Sequence, residues 1–188
     1  MAIRNCAISE IPGCGYYSVG VHPSDAKSVR AECLEEELLS KVSDPRVKAV
    51  GECGLDRRYL DFELQEDIFK IHCRVAQSSA LPLIIHSVRS LSEVLRLSKG
   101  VGGCRVLHAQ GRWDSNIERA GNVFLSLGYR NMARVQSIPL SRVLLESDDN
   151  MGVGIERVYE MFSKARGVAL DELKQIIEEN FKHVFLCK

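Results

Sequence analysis

The sequence has no long apolar run and no excess of charge of either sign. A helix that spans a bilayer needs roughly 20 apolar residues in succession, and no segment of the 188 residues comes near that length. The first residues also lack the charged stretch and apolar stretch of a secretion signal. We therefore expect a soluble, cytoplasmic protein with no membrane partner.

The charge balance is neutral, with 25 basic and 25 acidic residues. This gives no sign of bulk electrostatic attraction to nucleic acid, and it does not exclude a local basic rim around a site. A net charge of zero gives little protection against association, so a homo-oligomer is an open possibility. The 45% hydrophobic and 27% charged fractions are ordinary for a globular protein, and the length predicts a single domain over residues 1–188.

The seven cysteines show no pairing pattern: the number is odd and no two have the spacing C-x-x-C. A disulfide framework is not expected in a chain of this size without a secretion signal. We interpret the cysteines as reduced thiols, most of which are buried as small apolar residues.

Short apolar runs alternate with amphipathic stretches along the chain. The runs are continuous, which is typical of strands buried on both faces of a parallel sheet; they cover residues 16–21, 47–55, 81–86, 105–108, 122–128 and 142–148. Helical spacing is found over residues 24–42, 61–80, 87–97, 154–166 and 171–185. These strand–helix repeats predict an α/β fold, either a barrel or an open doubly wound sheet. An eight-unit barrel needs about 200 residues or more, so a barrel would be incomplete or compact.

Four of the apolar runs contain or end in a metal-ligand residue: Glu52, His86, His108 and Asp148. Taken alone, each of them is more often a hydrogen-bonded structural residue or a helix cap. In parallel α/β folds, however, the carboxyl ends of the strands form the site. Together the four residues predict a mixed imidazole–carboxylate metal site, which is the chemistry of a metal-dependent hydrolase.

The ordered motifs GECGLD, LPLIIHS, VLHAQG and LLESDDN, preceded by GVHP, resemble those of the TatD family of metal-dependent hydrolases. The resemblance runs from about residue 16 to the end of the chain. It implies a TIM-barrel-like fold of the amidohydrolase type and one or two divalent ions (Mg²⁺, Mn²⁺ or Zn²⁺). It also implies metal-assisted phosphodiester hydrolysis, as a 3′–5′ exonuclease on DNA.

The same resemblance implies a role for each residue of the predicted metal site. Glu52 matches a carboxylate that bridges two metals, and His86 and His108 match imidazoles that hold one of them. Asp148 matches a metal ligand and partner of the attacking water, so that Glu52 and Asp148 are the predicted catalytic residues.

Further residues are expected around this site. His22 matches a family position near the metals, and Asp56 is expected to orient the loop of the glutamate motif. Asp149 is an acidic neighbour of the last ligand and an alternative to it. Arg57 is a candidate phosphate contact, although surface solvation explains it equally well. Trp113 could stack on a base, but a packed aromatic is the preferred interpretation.

One family feature is missing, because the sequence contains no His-x-His. The resemblance implies that a first strand with this motif supplies two metal ligands. We therefore expect a barrel that is incomplete at the N-terminal strand, with at most one tightly bound metal and impaired activity. Residues 1–15 or a second copy of the chain could fill the gap. Two alternatives stay open: a hydrolase of another ester or amide bond, and a catalytically degenerate scaffold or regulatory subunit.

Overall fold

The structure is a computed structural model that describes residues 1–10, 13–147 and 152–187. These residues form two compact units, residues 1–106 and residues 107–187. Within the described ranges, every helix is too short or too polar to cross a lipid bilayer.

The described part of the first unit contains parallel strands that hydrogen-bond in chain order, each followed by helix or turn. The strands are β1 (Ile3–Ala7), β2 (Tyr16–Gly20), β3 (Val47–Asp56) and β4 (Leu83–Val88). The helices are α1 (Ala31–Val42), α2 (Phe62–Ser79) and α3 (Leu91–Leu97), with a 3₁₀ turn at Pro23–Ser28. Strand β5 (Arg105–His108) begins in this unit and ends in the second.

The described part of the second unit continues with parallel strands β6 (Val123–Leu127) and β7 (Val143–Leu145). Its helices are α4 (Ser115–Ala120), α5 (Ile155–Arg166) and α6 (Leu170–Phe185), with 3₁₀ segments at Tyr129–Ser137 and Leu140–Arg142. Leu125, Phe162 and Leu173 are fully buried and form part of its core.

Burial confirms that the apolar runs of the first unit are core strands. Nearly every residue of β3 is buried, and so are the first three residues of β4. Helix α2 covers them with residues at helical spacing, such as Ile68, Phe69 and Val75. The continuous apolar pattern therefore reflects strands covered on both faces.

The structure differs from the sequence-based expectation at three elements of the first unit. The helix expected over residues 87–97 begins only at Leu91, because Ser87 and Val88 belong to β4. The helix expected over residues 24–42 is divided, because Val29 and Arg30 are extended between the 3₁₀ turn and α1. Strand β1 had no strand signal of its own and lies within residues 1–15, one of the two candidates expected to fill the gap at the N-terminal strand. Only Cys6 of its five residues is buried, so it has no apolar run, yet it pairs with β2 in register from Ile3 to Ala7.

Candidate metal centre

Strands β2, β3 and β4 of the first unit bring three metal-ligand side chains together. His22 follows β2, whereas Glu52 and His86 lie within β3 and β4. His86 Nδ1 lies 2.9 Å from Glu52 Oε1. His22 Nε2 lies 3.2 Å from His86 Nδ1 and 4.0 Å from Glu52 Oε1. One ligand atom from each residue therefore lies within 4.8 Å of the others, close enough to share a metal ion.

The ring of His86 is fixed from its other side by Asp56. His86 Nε2 lies 2.9 Å from Asp56 Oδ2, and the Asp56 side chain is completely buried. Burial acts to raise the pKa of Asp56, but hydrogen bonds from Arg58 and His86 outweigh it and hold this pKa below the usual range. An ionised Asp56 can only accept, so His86 donates its Nε2 proton. Its Nδ1 lone pair then faces the cluster, as a metal ligand requires.

His22 is also in a state suited to metal binding. Burial, together with repulsion from the adjacent His86, lowers the pKa of His22 below its usual value. A neutral ring is the form that binds metals. Ser24 holds this ring at Nδ1, which accepts from Ser24 N at 3.2 Å and lies 2.7 Å from Ser24 Oγ, while Nε2 is directed at the cluster.

Glu52 is positioned through its second oxygen by Asn5 of β1. Asn5 Nδ2 donates to Glu52 Oε2 at 3.1 Å. The buried hydroxyl of Ser18 donates to Asn5 Oδ1 at 2.7 Å, which fixes the orientation of the amide. Strand β1 thus contributes to the site, although its residues carry no metal-ligand signal. Asn5 was not among the predicted site residues, because its role depends on the pairing of Asn5 with Ser18 across β1 and β2.

The two residues that follow the glutamate motif have different surroundings. Arg58 binds Asp56 through its backbone N at 2.8 Å and its Nη2 at 2.6 Å. Arg57 instead donates to the carbonyl of Arg89 at 3.0 Å and forms an ion pair with Glu93. These contacts give Arg57 a structural partner, and its predicted contact with phosphate stays a prediction.

Asp56 is expected to orient the glutamate loop, and this role stays a prediction. Its described side-chain contacts are with Arg58 and His86, while its backbone N donates to Gln65 Oε1 at 2.8 Å. The contact with the metal cluster therefore runs through the histidine of β4.

His108 lies in the second unit, where Glu146 orients its ring. His108 Nδ1 lies 2.9 Å from Glu146 Oε2, and Ala109 N donates to Glu146 Oε1 at 3.2 Å. A carboxylate on one ring nitrogen is the usual partner of a histidine that binds metal through the other. Glu146 was not among the predicted site residues. Its position directly after the buried strand β7 was the available signal.

The remaining predicted site residues, Asp148 and Asp149, lie outside the described residues. Their roles, and the role of His108 as a ligand, stay predictions.

Comparison with known proteins gives a consistent result. The family model described as TatD related DNase matches residues 4–186. YabD of Bacillus subtilis, an uncharacterized metal-dependent hydrolase, is 26% identical over 199 residues, which cover 90% of this chain and 77% of the relative. A Cronobacter turicensis protein named 3′-5′ ssDNA/RNA exonuclease TatD is 38% identical over 164 residues, which cover 77% of this chain and 61% of the relative.

Solved structures agree on the fold. The match with YJJV, a TatD homolog from Escherichia coli, covers 92% of this chain and 77% of the YJJV chain, with a TM-score of 0.77 at 22% identity. The match with a TatD family hydrolase from Entamoeba histolytica covers 90% of this chain and 75% of the hydrolase chain, with a TM-score of 0.72 at 18% identity. The predicted TIM-barrel-like α/β fold is therefore confirmed.

Proposed function

This chain belongs to the family of TatD-related DNases, which are metal-dependent hydrolases, and on that premise we propose that it hydrolyses phosphodiester bonds of DNA from the 3′ end. The observation that carries the proposal is the convergence of His22, Glu52 and His86 within 4.8 Å. Relatives named as 3′-5′ exonucleases support the substrate class.

The donor set fits a divalent cation. Two imidazole nitrogens and one carboxylate oxygen are typical ligands of Zn²⁺ and Mn²⁺, and three protein ligands leave room for water or substrate. When bound, the cation supplies Lewis-acid polarisation of a phosphoryl oxygen and activation of water.

The protein residues hold this donor set before a cation arrives. Asn5 fixes Glu52, Asp56 fixes the ring of His86, and Ser24 contacts His22. Glu52 Oε1 faces the two imidazoles, while Oε2 accepts from Asn5. We propose that this cluster binds a single cation per chain.

The direct test is hydrolysis of single-stranded DNA labelled at its 5′ end, with Mn²⁺, Mg²⁺ or Zn²⁺ added. A ladder that shortens from the 3′ end is expected. Loss of a residue that supports a metal ligand typically costs 10–100-fold, so Glu52→Gln, which alters a ligand itself, should lower turnover by at least about 100-fold. The matched control is Glu63→Gln, at an exposed position of α2, which should leave turnover unchanged.

The other outcomes of this experiment contradict the site or favour one of the alternative functions. Undiminished hydrolysis by Glu52→Gln contradicts the site. Turnover of a carboxylic ester or amide without hydrolysis of DNA selects the alternative substrate class. Bound metal with no turnover of any substrate selects the scaffold or regulatory function.

A further inference from the structure

The second unit contains a cleft of about 520 Å³ that the metal cluster does not use. Ligand-binding clefts usually have volumes of about 300–1,000 Å³. Its lining consists of an indole, two guanidinium groups, an amide, a hydroxyl and a glycine: Trp113, Arg112, Arg134, Gln136, Ser137 and Gly111. The lining thus combines an aromatic surface with positive charge.

One wall of the cleft is the segment after His108, and it is anchored at its start. Ala109 N donates to Glu146 Oε1 at 3.2 Å, and Ala109 O accepts from Asn131 Nδ2 at 3.2 Å. A Cβ on Gly111 would lie 2.8 Å from the same Asn131 nitrogen, so glycine permits this close approach. The wall that carries Trp113 is therefore joined to the His108–Glu146 pair.

The opposite wall is the 3₁₀ segment Tyr129–Ser137, which is tied to the end of α5 in both directions. Gln136 Nε2 donates to the carbonyl of Ala165, and Arg166 donates to the carbonyl of Gln136. These contacts fix the backbone that carries Arg134 and Ser137.

The cleft lies in a basic part of a neutral chain. Residues 121–145 contain three arginines and no aspartate, glutamate or lysine; the arginines are Arg130, Arg134 and Arg142. The side chain of Arg112 is 71% exposed, and its Nε is 4.0 Å from Asp114 Oδ2. The other oxygen of Asp114 caps α4. An exposed ion pair at this distance is weak, so Arg112 can engage an anion.

We propose that this cleft binds single-stranded nucleic acid, with a base stacked on Trp113 and backbone phosphates on Arg112 and Arg134. Aromatic side chains stack on bases of any sequence, and guanidinium groups match phosphate geometry. Bases in a duplex already stack on one another, so the cleft favours single strands. This inference rests on the proposed function, for which it supplies a substrate-binding surface.

Trp113 itself reports binding, because it is the only tryptophan of the sequence. Its fluorescence is measured while a short oligothymidylate is added in the presence of a chelator, so that hydrolysis does not occur. Saturable quenching is expected. A duplex of equal length and inorganic phosphate should quench much less. No quenching, or equal quenching by the duplex, would overturn the inference.

Variants locate the binding surface when affinity is measured by anisotropy of a labelled oligothymidylate. Trp113→Ala should weaken binding by about tenfold or more, whereas Trp113→Phe should retain most of the affinity. Arg112→Gln and Arg134→Gln should each reduce the slope of log affinity against log salt by about 0.7.

The matched control is Arg119→Gln on α4, where the guanidinium group contacts Ser115 and Asn116 instead of the cleft. It removes the same charge and should keep the wild-type affinity and salt slope. If Trp113→Ala does not fold, the variants Arg112→Gln and Arg134→Gln still test whether the cleft binds single-stranded nucleic acid. Wild-type affinity and salt slope in those two variants would overturn the inference.

A second substrate separates this inference from the proposed function. Cation-dependent hydrolysis of bis(p-nitrophenyl) phosphate without quenching by oligothymidylate overturns the cleft and leaves phosphodiester hydrolysis standing. Quenching by oligothymidylate without hydrolysis of any phosphodiester supports the cleft and contradicts the proposed function.

Discussion

Glu52 Oε2 accepts a hydrogen bond from Asn5, while Glu52 Oε1 lies 2.9 Å from His86 Nδ1. Replacing Asn5 with Ala removes the hydrogen bond to Oε2 and lets the carboxylate rotate. Because Asn5 is solvent-exposed, we expect the lower end of the usual range for such partners, a loss of metal affinity of roughly tenfold. Titration calorimetry with Mn²⁺ measures this affinity.

A matched control for this prediction is Asn116→Ala, which removes an amide on α4 that contacts Arg119. It should bind Mn²⁺ as the wild type does. Equal affinity in Asn5→Ala and the wild type would contradict the positioning role of Asn5.

At the scale of single residues, the sequence predicted the site partly. Glu52 and His86 stand out because buried apolar runs surround or precede them, and His22 because it follows such a run. Asn5 and Glu146 could not be assigned in this way. Their roles arise from hydrogen bonds across 47 and 38 residues of sequence, which depend on how the strands pair.

Strand β3 approaches β4 closely because it contains glycines. Gly54 has φ +145°, and a Cβ there would lie 2.0 Å from the carbonyl O of His86. Gly54→Ala must therefore displace the backbone that carries a proposed metal ligand. We expect a loss of at least about 2 kcal/mol in the free energy of unfolding, together with weaker metal binding.

The control for this prediction is Gly100→Ala, where a Cβ would meet no atom within 4 Å. Urea unfolding compares the two variants with the wild type. Equal midpoints for Gly54→Ala and Gly100→Ala would show that β3 and β4 do not require the glycine.

Helix α2 is linked to the end of β2 by the buried His72. His72 Nε2 accepts from Val21 N at 3.0 Å, and Nδ1 donates to the carbonyl of Ile68 at 2.8 Å. Burial lowers the pKa of His72 from 6.5 to about 4, even though the Ile68 carbonyl acts to raise it. The ring is therefore neutral in the folded protein at pH values where it is protonated in the unfolded chain.

The sign of the pH dependence follows from this difference. The stabilisation from His72 is fully present above pH 6.5 and is lost progressively as the pH falls towards about 4. Its magnitude is roughly 3 kcal/mol. Urea unfolding across this range should show a steeper loss in the wild type than in His72→Gln, which keeps one donor and one acceptor without titrating.

The exposed His183 provides the control for the pH prediction. His183→Gln should retain the pH dependence of the wild type. The same dependence in His72→Gln and the wild type would contradict the assignment to His72.

At the scale of whole elements, the apolar runs predicted most core strands correctly, because strands covered on both faces carry an unbroken signal. Strand β1 and helix α4 show no apolar pattern of this kind in the sequence. Strand β1 buries only Cys6, and α4 has six residues with only Ile117 buried. The division between the 3₁₀ turn and α1 was also missed, since Val29 and Arg30 continue the helical spacing but adopt extended conformations.

At the scale of the whole molecule, the alternation of strands and helices and the order of the motifs were sufficient to predict the family and the fold. Overall composition was less informative. The balance of 25 basic and 25 acidic residues conceals the arginines of residues 121–145. Only the folded structure brings Arg134 of this segment beside Trp113, in the cleft that we propose to bind nucleic acid.

Calorimetric titration of the purified protein tests most directly whether His22, Glu52 and His86 bind a single divalent cation. Mn²⁺ is the suitable ion, because the exposed thiols of Cys14 and Cys187 also bind Zn²⁺. We predict one Mn²⁺ per chain in the wild type and in Glu63→Gln, and loss of binding in Glu52→Gln. No binding by the wild type, or equal binding by Glu52→Gln, would contradict the claim.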